Sequence, residues 1–221
     1  MLISGDLKRD GGRVTGFAVD PGMTTGWASW SGNAAHFSRG DGGMGAFMAD
    51  GSFSSGQVMC GHAAASGASG WAMELQGARH LWDLIWDQWR GVGSLWIVYE
   101  DFILRGGGRA VAGAGSARSG LSAVRVTSSL LAVVAGELDD MSYDSTGAAV
   151  AWSVCAGGAG VVTVDGRVNV LAQSAAMAKG FATDDRLRAW GMYRRSGAER
   201  HARDASRHLA VWSAGMRKSK L

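Results

Sequence analysis

The sequence predicts an α/β fold: a sheet whose central strands carry carboxylates at their ends, with helices packed on it. Three stretches predict this. Val14 to Trp30 reads as two strands joined by a short Pro-Gly turn. Leu95 to Tyr99 is a continuous apolar run, too short for a helix and rich in β-formers, hence a buried and parallel strand. Between them, Trp71, Leu75, Ala78, Trp82, Ile85 and Trp89 recur at spacings of four and three, the stripe of a helix lying on a sheet.

With 221 residues and 47% hydrophobic content, one sizeable domain over 1–221 is the simplest organisation. The 35 glycines against a single proline imply many close-packed or turning backbone positions and little rigid punctuation. A net charge of +3 permits nucleic-acid binding without requiring it. Arginines gather at Arg105, Arg109, Arg118 and Arg125, and again between Arg186 and Arg207, although such clusters are commonly solvated faces. Cys60 and Cys155 stand far apart without metal-ligand spacing, so reduced thiols are expected in place of a zinc site or a disulfide. The first residues have no apolar core of signal-peptide length, and the longest apolar tract, Ala148 to Val164, is broken by Gly and Ser. The expectation is a cytoplasmic protein without a membrane span.

Taken in order, residues 1–12 form a loose tail. The hairpin follows, with Asp20 where its first strand emerges. Asp before Pro-Gly is ordinary turn chemistry as well as a place for a metal ligand, and the hairpin alone does not decide between them. Residues 32–70, rich in Gly, Ser and Ala, form an insertion with at most one strand, near Ala34 to Ser38. The helix over 71–89 ends at Gly91; its tryptophans suit a core better than a base-stacking platform. The strand after it ends at Glu100. A second carboxylate thus leaves the sheet beside the first, an arrangement that is costly unless a cation joins it. Beyond lie Phe102, Ile103 and the glycine-rich basic loop of Arg105 and Arg109, suited to a phosphate backbone.

A helix over about 118–138 should bury Leu121, Val124, Leu131 and Val134. Residues 139–182 offer three strand-like runs, at 149–154, 161–164 and 168–172; the last is expected to be the fifth strand and the others an inserted hairpin, with a second insertion at about 140–160. Lys179 follows. Thr183 caps a short helix to Trp190. A final helix over about 199–215 places His201 and Asp204 on one face, with His208 four residues beyond Asp204.

Asp20, Glu100, His201 and Asp204 make three carboxylates and one imidazole, oxygen-rich ligands that favour Mg²⁺, with Mn²⁺ as a substitute. Two such ions, roughly 4 Å apart, would activate water and stabilise the leaving oxygen in phosphodiester hydrolysis. The VDPGMTTGWA hairpin, the strand ending in YED and the HARDA helix together resemble the RuvC-like Holliday junction resolvases, particularly phage-borne relatives, within the ribonuclease H-like superfamily. The resemblance spans about Val14 to Trp212. It implies a five-stranded mixed sheet flanked by helices, a homodimer, and Mg²⁺-dependent nicking of four-way DNA junctions in the cytoplasm (the host's, for a phage protein), with a catalytic, metal-binding quartet of Asp20, Glu100, His201 and Asp204. Many members carry Asp where His201 stands, and a histidine ligand must be neutral, so activity should fall below about pH 6.5. The aromatic that wedges into the junction falls on Phe102, or on Ile103 in its place, and Arg105, Arg109, Arg118 and Lys179 are DNA-contact candidates. Two other classes remain open: a non-catalytic binder of branched DNA with the same fold, and an actin-like or sugar-kinase-type ATP-binding protein, whose phosphate loop DPGMTTG resembles locally.

Overall fold

In the hairpin, β1 (Arg13–Asp20) is buried from Val14 to its end, since its neighbours flank it on both edges and helices cover both faces. Strand β2 (Thr24–Asn33) pairs with it antiparallel, Asp20 opposite Gly26. The Thr25 hydroxyl donates to the Gly22 carbonyl at 2.8 Å and accepts from the Gly22 N–H at 3.2 Å, so this side chain ties the turn together. The computed structural model describes residues 12–37, 43–61, 67–100, 114–142, 153–154, 161–164, 167–196 and 199–218.

The glycine- and serine-rich stretch contributes more than expected. Where a strand was expected near Ala34 there is a 3-10 turn, Ala34–Phe37, because the Asn33 side chain accepts from the Ala35 N–H at 2.8 Å and turns the chain as β2 ends. Helix α1 (Met44–Ala49) follows, then β3 (Ser52–Met59), which pairs antiparallel with β2. Residues 52–59 are therefore an edge strand of the sheet and not part of a detached insertion.

Helix α2 (Gly67–Trp89) buries Ala78, Leu81, Trp82, Ile85 and Trp89. Its first turns do not follow the expected stripe: Trp71 is 67% exposed and Leu75 42%. The helix stops where Arg90 and Gly91 take positive φ, a left-handed exit that glycine adopts without strain. Strand β4 (Ser94–Glu100) lies parallel to β1 and, on its other edge, to β7 (Val168–Gln173), which is the expected fifth strand.

Helix α3 (Ala114–Ser142) packs on α2 through Ser122, Val126, Leu130, Val134 and Leu138. Those positions run in steps of four, a ridge seated in the neighbouring helix's groove, so Val124 and Leu131 turn toward its flanks instead of the centre. A two-pronged ion pair, Arg125 to Glu74 at 2.7 and 2.9 Å, ties the two helices. Strands β5 (Ser153–Val154) and β6 (Val161–Val164) form a hairpin that adds to the edge of β7, giving the order β3-β2-β1-β4-β7-β6-β5. The five-stranded mixed sheet is present as β3-β2-β1-β4-β7, and the hairpin extends it.

Helix α4 (Ala175–Phe181) and α5 (Asp184–Ala189) lead to α6 (Arg200–Lys218). Helix α6 covers one face of the sheet, with Leu209, Trp212 and Met216 against Trp30, Trp96 and Val98; α2 and α3 cover the other, against Phe17, Val19 and Ile97. The result is three layers with a core on each side of the sheet. Thr183 caps α5 as expected, its hydroxyl accepting from the Arg186 N–H at 3.4 Å. Thr183→Ala is expected to lower stability by about 1 kcal/mol, measured by urea unfolding. Among the described residues, no helix is long and apolar enough to cross a membrane.

Candidate active site

Because β1 and β4 are parallel neighbours with Val19 opposite Tyr99, their last residues, Asp20 and Glu100, leave the sheet side by side. The first turn of α6 meets them there. The His201 backbone N–H donates to Gln57 Oε1 on β3 at 3.1 Å, anchoring the start of the helix to the sheet edge. His201 Nδ1–H donates to Asp20 Oδ2 at 2.7 Å, leaving Nε2 as the ring's acceptor, 3.5 Å from an Arg200 nitrogen. Two turns along the same helix face, His208 Nε2–H donates to Glu100 Oε2 at 3.4 Å. Its Nδ1 lies 3.2 Å from the side-chain oxygen Oε1 of Gln173, the residue paired with Glu100 across β4 and β7.

The two strand-end carboxyls differ in their electrostatics. Burial pushes the Asp20 carboxyl above its ordinary value, the bond from His201 opposes this, and the nearby charges of Glu100 and Asp204 raise it further. Glu100 is held below its ordinary value, chiefly by the hydrogen bond from His208, against a smaller opposing effect of burial, with the Lys179 charge assisting. Asp204 is fixed by Arg207, whose guanidinium also binds Asp184 and donates to the Ala182 carbonyl at 3.0 Å.

This donor set fits a hard divalent cation. Asp20, Glu100 and Asp204 are close enough for the last two to disfavour ionisation of the first, and a cation among oxygen donors relieves that repulsion. Among the described residues, however, no three His, Cys, Asp or Glu side chains stand ready as a metal cage. Instead, His201, His208 and Arg207 partner the three carboxylates.

The structure therefore brings Asp20, Glu100, His201 and Asp204 to one end of the sheet. Lys179, exposed on α4, reaches the same neighbourhood through its charge on Glu100. Phe102, Ile103, Arg105 and Arg109 lie outside the described residues; of Arg118 only the backbone, in α3, is described. Much of the arginine cluster between Arg186 and Arg207 is engaged internally: Arg188 and Arg203 lie over Tyr193, at 4.2 and 5.3 Å from its ring centre, and Arg194 donates to Ser55 Oγ at 2.8 Å.

Sequence reasoning missed the supporting residues Gln57, Gln173 and Arg207. The spacing that set His208 four residues beyond Asp204 was visible, but its bond to Glu100 depends on strand register. No family model, curated protein or solved structure matches the chain.

Proposed function

We propose that this protein is a metal-dependent, structure-selective endonuclease with a ribonuclease H-like fold, nicking branched DNA and above all four-way junctions. The observation that carries the reading is the convergence of Asp20, Glu100, His201 and Asp204 from two parallel strands and one helix. The antiparallel β1-β2-β3 meander continued by parallel β4 and β7 supports the fold assignment. Two Mg²⁺ ions, or Mn²⁺ in their place, would supply an activated water and charge stabilisation at the leaving oxygen. In this reading Asp20, Glu100, Asp204 and the Nε2 of His201 are the ligands. Lys179 contributes positive charge near the phosphate.

A homodimer belongs to the same proposal, supported by the exposed apolar side chains Trp71 and Leu75 on α2. Two nicks on opposed strands require two such sites.

A second reading has an observation in its favour. Each carboxylate already has a protein partner, as suits a branched-DNA binder that does not cut. The ATP-binding reading is weakened by Thr25, whose hydroxyl is engaged with Gly22 in the turn. Incubation with a labelled synthetic four-way junction separates these readings. The nuclease is expected to produce paired nicks with Mg²⁺ or Mn²⁺ and none with a chelator; junction binding without nicks selects the binder, and tight retention of labelled ATP without DNA binding sinks both.

A further inference from the structure

We infer that His208 is the positioning residue for Glu100, setting the orientation in which that carboxylate meets a divalent cation; the inference rests on the nuclease reading above. His208 is 1% exposed, so its ring does not reach solvent and is not a DNA contact. It is also not free to turn. One ring nitrogen, Nδ1, lies 3.2 Å from Gln173 Oε1 and the other, Nε2, 3.4 Å from Glu100 Oε2, so the ring is set between two oxygens. Both anchors follow from backbone geometry: Gln173 and Glu100 are cross-strand partners on β7 and β4, and α6 lays the imidazole between them. Leu209 and Ala205 beside it on α6 are fully buried, which fixes the helix against rotation.

A carboxylate that ligates a metal through one oxygen gains both orientation and pre-organisation when its other oxygen is held by a fixed donor. Glu100 sits at a strand end, where its side chain would otherwise swing between solvent and the neighbouring carboxylates. The bond from His208 selects one setting. That His208 shares a helix face with His201 and Asp204 means the same rigid element carries two proposed ligands and the orienter of a third.

The test is Mn²⁺ titration of the full-length protein, with binding followed by electron paramagnetic resonance in the absence of DNA, and junction cleavage read separately. His208→Leu keeps the volume apolar and removes the donor; an Mn²⁺ affinity about tenfold weaker than wild type is expected, with junction affinity unchanged. His208→Gln can return an N–H donor and is expected to recover affinity to within about threefold. If the leucine variant does not melt cooperatively, Gln173→Met carries the test, since it leaves His208 in place and frees its ring. Mn²⁺ affinity equal to wild type in the folded His208→Leu variant, or in Gln173→Met where that variant stands in, overturns the inference while leaving the nuclease reading standing. A wild-type protein that neither binds Mn²⁺ nor cuts overturns both.

Discussion

Asp20→Asn is expected to reduce junction cleavage about a thousandfold while leaving a folded protein that is more stable at neutral pH than the wild type. The rate effect follows from the proposed role: loss of a charged ligand between two cations removes several kcal/mol of charge stabilisation, and each 1.36 kcal/mol is a factor of about ten. The stability effect follows from the structure alone. Burial raises the Asp20 carboxyl above its ordinary 3.8, so the folded state holds this proton more tightly than the unfolded chain does. The contribution of Asp20 to stability is therefore full below about pH 3.8 and is lost as pH rises through the raised folded value. Asparagine cannot ionise and still offers His201 an acceptor oxygen. The gap between variant and wild type should open in its favour as pH rises from 3.5 to 7, measured by urea unfolding without divalent ions.

Glu100→Gln supplies the opposite sign. His208 holds Glu100 below its ordinary 4.5, so its contribution is present above that pH and is lost as pH falls through the lowered folded value. Glutamine should cost stability at pH 7 and nothing once both carboxyls are protonated. Two neighbouring carboxyls, each needed for cleavage in the proposed mechanism, thus move stability in opposite directions. If Asp20→Asn instead destabilises at pH 7 as Glu100→Gln does, the bond from His201 outweighs burial, and the assignment of burial as the dominant cause is wrong.

What the sequence made legible was set by where apolar runs stop. Val14 to Val19 is a largely apolar run and Leu95 to Tyr99 a continuous one, each ending at a carboxylate, so Asp20 and Glu100 could be placed at strand ends without knowing the sheet. The final helix was legible because HARDASRHLAVW alternates polar and apolar residues at helical spacing. Strand β3 was not: SFSSGQVM has small and polar residues on both faces, and an edge strand of this kind is specified by pairing with β2 and not by its own propensity. The first turns of α2 depart from the sequence pattern for the converse reason. Trp71 and Leu75 continue the apolar period beyond the area of sheet that α2 can cover, so periodicity overstated burial. The partners of the site residues were hidden altogether, since Gln173 meets His208 only through the β4–β7 register and Gln57 meets His201 only once β3 is in place.

The tightest constraint on the site lies in a residue with no side chain. Gly26→Ala is expected to destabilise the protein by about 3 kcal/mol or more and to abolish cleavage. A Cβ at position 26 would stand 1.9 Å from the His201 carbonyl oxygen and 2.0 Å from its carbonyl carbon, both of them backbone atoms of α6. A flexible side chain could move aside, but a helix backbone cannot without shifting the whole element, and overpacking of this kind typically costs 1–3 kcal/mol or more. Gly26 is paired with Asp20 across the hairpin, so the displaced helix turn is the one whose imidazole bonds Asp20. Loss of stability and loss of the His201–Asp20 contact are then one event. Gly215→Ala is the control: position 215 lies on the same helix with nothing within 4 Å of an added Cβ, and alanine there should stabilise by about 0.5–1 kcal/mol. Thermal unfolding of the two variants, with junction cleavage measured on each, checks the contrast. Wild-type stability and cleavage in Gly26→Ala would mean that α6 does not dock on β2 this closely, and the placement of His201 beside Asp20 would fail with it.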